Sequence, residues 1–133
     1  VGDAVYFLKK NSLDLYKLLC TYLIQIQNFD ENNTNNIINK VSDNKNALLL
    51  VFFKLLTLLI NKVIKKKFLN LDLHIIDEER LTIAHFNKLY NERNIFYIKD
   101  LVEYKYNSLI SLNTDLHSTL YSLLIELHKK VKE

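Results

Sequence analysis

Along most of this chain apolar residues recur every three or four positions, the period of an amphipathic helix. The first such stripe follows Ser12 and comprises Leu15, Leu18, Leu19, Tyr22 and Ile26. Ser12 is a good N-cap and Asp14 suits the positive end of a helix dipole, so the spacing predicts a helix over about 12–27. The polar run 28–36 should end it and reads as a mobile loop. A short amphipathic piece with Ile37, Ile38 and Val41 follows. Asp43 is then placed to cap a long helix over about 44–67, apolar on nearly every side through Leu59. A helix apolar all round has to be surrounded by others, which puts this one at the centre of the fold.

Residues 68–76 alternate apolar and polar, with Leu69, Leu71, Leu73 and Ile75, as a strand would. A lone strand has no partner, so an extended connector or short helix is expected here. Asp77, Glu78 and Glu79 open the next helix, with Asp77 as its cap and Ile83, Phe86 and Tyr90 as its stripe. After a loop or kink near 91–94, a helix over 95–111 shows Ile95, Ile98, Val102 and Leu109 on one face. Tyr97, Leu101 and Tyr104 line the adjoining face. Asn113 or Thr114 caps the last helix, which carries Asp115 in its first turn and Leu116, Leu120, Leu123, Leu124 and Leu127 on its apolar side. His128, Lys129, Lys130 and Lys132 close it, cations at a negative helix end.

Composition strengthens the all-α reading. The 133 residues contain no proline and one glycine, Gly2. A β-domain of this size needs several turns built on Gly or Pro, whereas helices joined by Asn, Asp and Ser need none. With 49 % apolar residues, the chain can bury a core and is expected to form one all-helical domain over 1–133. The expected architecture is a bundle of five to seven helices around the central 44–67 helix. A short α-solenoid is the alternative. The cap positions Ser12, Asp43, Asp77 and Thr114 lie 31, 34 and 37 residues apart, a spacing that resembles helical-hairpin repeats.

Charge narrows function only slightly. A formal +3 permits an anionic partner without requiring one. Lysine outnumbers arginine sixteen to two and asparagine also reaches sixteen, a bias typical of AT-rich coding, which weakens arguments from lysine clusters. The run Lys62, Lys65, Lys66 and Lys67 is the candidate anion-binding patch, although cations there also complement a helix C-terminus. The single Cys20 excludes an intrachain disulfide and fits a reducing, intracellular compartment. The chain opens at Val1 rather than methionine, as a mature or excised fragment would. The apolar run 47–60 is 14 residues long, short of the roughly 20 that a spanning helix needs, so no membrane span is expected.

Chemistry-bearing patterns are few. With Gly2 the only glycine, a glycine-built phosphate cradle is excluded. His74, His117 and His128 lack ligand spacing and Cys20 has no local partner, so neither a metal nor another cofactor is expected. Tyr104, Lys105 and Tyr106 could stack on bases, but tyrosines at helical spacing more often sit at a core edge.

The sharpest local feature is Arg80-Leu81-Thr82-Ile83-Ala84-His85-Phe86. It resembles the motif of HEPN-type ribonucleases, helical domains of about this length in which two subunits join their motifs in a shared cleft. That resemblance implies a homodimer, His85 as general acid or base and Arg80 as a phosphate clamp. A second resemblance is architectural: a buried apolar helix wrapped by amphipathic ones is similar to the Bcl-2-like fold, which binds a partner's amphipathic helix in a groove. The reading favoured here is a non-enzymatic interaction or scaffold domain. It would bind a protein partner through a groove or helical face, with RNA as the other partner class.

Overall fold

The computed structural model describes residues 2–73, 76–112 and 114–131, and side chains over these apart from 2–10 and 44. Six helices form within them: α1 (Gly2–Ile24), α2 (Glu31–Asn46), α3 (Leu49–Leu69), α4 (Asp77–Leu89), α5 (Glu92–Ser111) and α6 (Leu116–Lys130). The described residues contain no strand. The fold is an all-α bundle.

The boundaries follow local chemistry, in places not the chemistry first expected. Helix α1 runs unbroken through Ser12, which is therefore no cap: nothing upstream, neither Gly nor Pro between residues 3 and 11, stops the helix. The polar run after it is not a loop beyond Asp30. Asp30 caps α2 by accepting from the Asn33 N–H at 3.1 Å, and Thr34 is buried with its hydroxyl 2.8 Å from that of Tyr22. Asp43 sits inside α2. The chain breaks after it, at Lys45 and Asn46, which take φ of 59° and 62°. Asparagine tolerates the left-handed region better than most residues, so the turn needs no glycine. Asn70, at φ 52°, ends α3 in the same way, its N–H bonding back to the Lys66 carbonyl.

Residues 70–73 form no regular element, as expected of a connector. Ile75 of the alternating pattern lies outside the described residues, as do His74, Asn113 and Lys132. Ile76, not Asp77, is the N-cap of α4, and Asp77, Glu78 and Glu79 occupy its first turn. Asn91 caps α5 by accepting from Asn94 N–H at 2.8 Å. Asp115 takes the capping place expected of Asn113 or Thr114, accepting from Ser118 N–H at 2.9 Å.

One core joins residues from all six helices. In α4 the buried residues are Glu79, Thr82, Ile83 and Phe86; in α6 they are Thr119, Leu120, Leu123, Leu124 and Leu127. Both sets have the spacing of one helix face. Phe52, fully buried, meets Phe53 edge-on at 5.4 Å between ring centres. Truncating such a ring to alanine costs about 3–5 kcal/mol.

Contacts distant in sequence close the bundle: α1 packs on α4, and α2 on α6. A solenoid would leave each hairpin touching only its neighbours, so the solenoid alternative is set aside. The end of α6 is held by three elements at once. Tyr90 donates to the Leu127 carbonyl at 2.5 Å, Asn94 donates to that of Lys130 at 3.3 Å, and His128 Nδ1 lies 2.8 Å from the Ile26 carbonyl oxygen. Orphan carbonyls at a helix end are thereby satisfied.

Helix α3 touches α1, α2, α4 and α5. It is nonetheless not enclosed. Leu50 and Leu58 are 46 % and 43 % exposed, and Lys54 and Thr57 beside them face outward. The expectation that this apolar stretch is covered on every side is corrected on that face.

Candidate functional site

Two arrangements stand out: a buried polar cluster and an open apolar groove. The cluster gathers residues from three helices. Tyr16 and Cys20 lie one turn apart on α1, Lys62 lies on α3, and Glu79 and Thr82 lie on α4. Glu79 is fully buried and its Oε2 accepts from the Lys62 ammonium at 2.9 Å and from the Tyr16 hydroxyl. A buried carboxylate is tolerated only when paired and hydrogen-bonded in this way. The Thr82 hydroxyl lies 3.1 Å from the Cys20 carbonyl oxygen and 2.7 Å from that of Glu78, tying α4 to α1. Burial pushes the Cys20 thiol up to about 11, with the Thr82 hydroxyl opposing and the Glu79 charge adding to the rise. Burial, together with the Glu79 contact, also raises Tyr16 far above the usual phenol range. Neither is a ready nucleophile. The cluster has the chemistry of an internal tie.

The four candidate lysines do not form one patch. Lys62 is turned inward to Glu79. Lys66 reaches Asp72 at 2.8 Å and the Asn70 side-chain oxygen at 3.2 Å. Lys67 donates to the Tyr90 carbonyl at 3.4 Å, and Lys65 is exposed. Three of the four are therefore engaged with separate parts of the protein.

Arg80 and His85 share the continuous helix α4, where five positions turn the direction of the side chain by about 140°. Arg80, with Ile83 and Ala84, lines a shallow cavity of about 240 Å³ bounded by Lys66, Leu71, Asp72 and Leu73. His85 is half-buried and is not among its walls. Among the described residues, His85 therefore lies apart from the cavity that Arg80 lines. Tyr104, Lys105 and Tyr106 likewise diverge: Tyr104 is exposed, Lys105 bonds to Ser122 at 3.0 Å, and Tyr106 packs on Phe53. No three His, Cys, Asp or Glu side chains gather as metal ligands among the described residues, and no helix there is long and apolar enough to cross a membrane.

The groove runs between α3 and α5 and encloses about 490 Å³. Its α3 wall is Leu50, Phe53, Lys54, Thr57, Leu58, Ile60 and Asn61. Positions 50, 53/54, 57/58 and 61 repeat at helical spacing and so share one face over three turns. The α5 wall is Lys99, Val102, Glu103 and Tyr106, again on one face. The two helices run antiparallel: Phe53 packs against Tyr106 at 5.1 Å and Phe68 against Phe96 at 5.7 Å between ring centres, both pairs tilted. The floor is apolar and the charges, Lys54, Lys99 and Glu103, stand exposed.

The apolar run of α3 is plain in the sequence, but its length points to enclosure on every side rather than to an open face. The usable signal was the interruption of that run by Lys54 and Thr57, which lie on one face with Leu50 and Leu58. Compared with protein-family models, curated proteins and solved structures, the chain matches none.

Proposed function

We propose that this chain is a non-enzymatic interaction domain that receives an amphipathic helix of a partner protein in the groove between α3 and α5. The observation that supports the reading is the pair Leu50 and Leu58, left about half exposed on a helix whose other faces are buried. Covering the remainder of each leucine is worth about 1 kcal/mol. The groove has the form that helix-in-groove recognition uses: a concave apolar floor, polar rims, and positions repeating at i, i+3/4 and i+7. Its chemistry fits binding better than catalysis, since its walls hold no His, Cys or Asp and only one Glu.

The test is affinity purification of the tagged chain from its own cells, with protein and RNA both identified, beside a Leu50→Glu/Leu58→Glu variant. Both positions are exposed, so the variant should keep its circular dichroism spectrum. The proposal expects a stoichiometric protein that the variant loses. Equal recovery with both chains, or RNA alone, would overturn it.

A further inference from the structure

The charges around the groove define its occupant more closely. Lys54 belongs to the α3 wall beside the Phe53–Tyr106 contact, one turn inside Leu50. Lys99 belongs to the α5 wall farther along, toward Asn61 and the Phe68–Phe96 contact of this antiparallel pair. Glu103 stands between them on the α5 wall, one turn from Lys99. The groove therefore carries one lysine on each rim, at different levels along its length, with Glu103 between those levels on the α5 rim. From Lys54 to Asn61 is seven residues, about two turns or roughly 10 Å of helix.

We infer that the occupant is an amphipathic helix of a partner protein bearing one acidic side chain on each flank of its apolar stripe. The two acids lie about seven residues apart on opposite flanks, so that one meets Lys54 and the other Lys99. The inner flank facing Glu103 carries a neutral or basic residue. The inference rests on the groove being a helix-binding site. Like charges brought together on a rim are costly, so the rim works as much by excluding basic helices as by attracting acidic ones.

Two synthetic peptides of about 18 residues separate the possibilities, because that length holds five helical turns and spans the groove. They share one stripe of leucines and phenylalanine, and carry either Glu or Lys at the two flanking positions. Binding to the intact chain is followed by fluorescence anisotropy at low salt. The Glu peptide should bind about tenfold more tightly than the Lys peptide, the sum of modest effects at two exposed pairs. The difference should shrink at 1 M salt, where the screening length is about 3 Å. A Lys54→Glu/Lys99→Glu variant, both positions exposed, should reverse the preference. Equal binding of both peptides, or no reversal, overturns the acidic-helix inference while leaving the groove a helix site. Binding of neither peptide overturns the groove reading itself, as does self-association of the chain that Leu58→Glu abolishes.

Discussion

Replacing Lys62 with methionine takes from the buried Glu79 carboxylate the ammonium that lies 2.9 Å from it, and the fold should lose stability. Glu79 is fully enclosed and the Lys62 side chain is 9 % exposed, so water cannot take the place of the ammonium without opening the junction of α1, α3 and α4. Removing one partner of such a pair costs about 3–5 kcal/mol. The Tyr16 hydroxyl still donates to Glu79, and a hydrogen bond to a charged group returns about 1.5–3 kcal/mol of what an isolated carboxylate would lose. The expected cost is therefore near the lower end, about 3 kcal/mol, against a total stability of about 5–15 kcal/mol. For a chain of this size that lowers Tm by roughly 10 °C. Urea titration followed by circular dichroism measures it, with an unchanged slope showing that the same surface is exposed on unfolding. The double variant Lys62→Met/Glu79→Leu removes both charges and should recover most of the loss, ending within about 1 kcal/mol of the parent or above it. A single-variant cost under about 1 kcal/mol, or a double variant no better than the single, would refute the reasoning.

Other outcomes follow from the same geometry. With its thiol enclosed and pushed up to about 11, Cys20 should resist iodoacetamide at pH 8 in the folded chain and react fully in urea; labelling at the rate of a free thiol would contradict the burial. The backbone N–H of Ser118 holds the Asp115 carboxyl below the usual carboxylate range. Its contribution to stability is complete above the unfolded value and fades as pH falls through the folded one, and an Asp115→Asn chain should lack that part of the pH dependence in thermal melts. Asn91→Ala removes the cap of α5 and should cost about 1 kcal/mol in urea unfolding, with Asn91→Gly costing only a few tenths.

Much of the helical pattern was legible because buried faces repeat with the helix period. Leu120, Leu123, Leu124 and Leu127 stand where their spacing puts them, and so do Ile83 and Phe86. Boundaries were harder to read. Ser12 and Asp43 carry capping side chains but sit inside α1 and α2, since a capping side chain does not start a helix unless the chain before it stops being one. The real break after α2 uses Lys45 and Asn46 at positive φ, a turn without the glycine that would have marked it.

The inward turn of Lys62 did have a signal. Lys62 is three residues from Leu59, and Glu79 is four from Ile83 and seven from Phe86, so each places a charge on an otherwise apolar stripe. Two such exceptions of opposite sign point to a buried pair, but only the packing of α3 on α4 shows that they meet. The groove was hidden for the converse reason. An apolar run shows that a helix is buried on many sides, while which side stays open depends on where its neighbours stop. Here α5 approaches α3 without covering Leu50 and Leu58. The Arg80 and His85 spacing is visible in the sequence, and the continuity of α4 determines that the two diverge.

Site-specific photo-crosslinking tests the central claim most directly. A photoreactive phenylalanine placed at Leu58, in the groove, is compared in the protein's own cells with one at Leu13, an equally exposed apolar position on α1 outside it. The account predicts a discrete adduct to a helical segment of another protein from position 58 and none from 13. Equal labelling from both positions, or no adduct from 58, would contradict it.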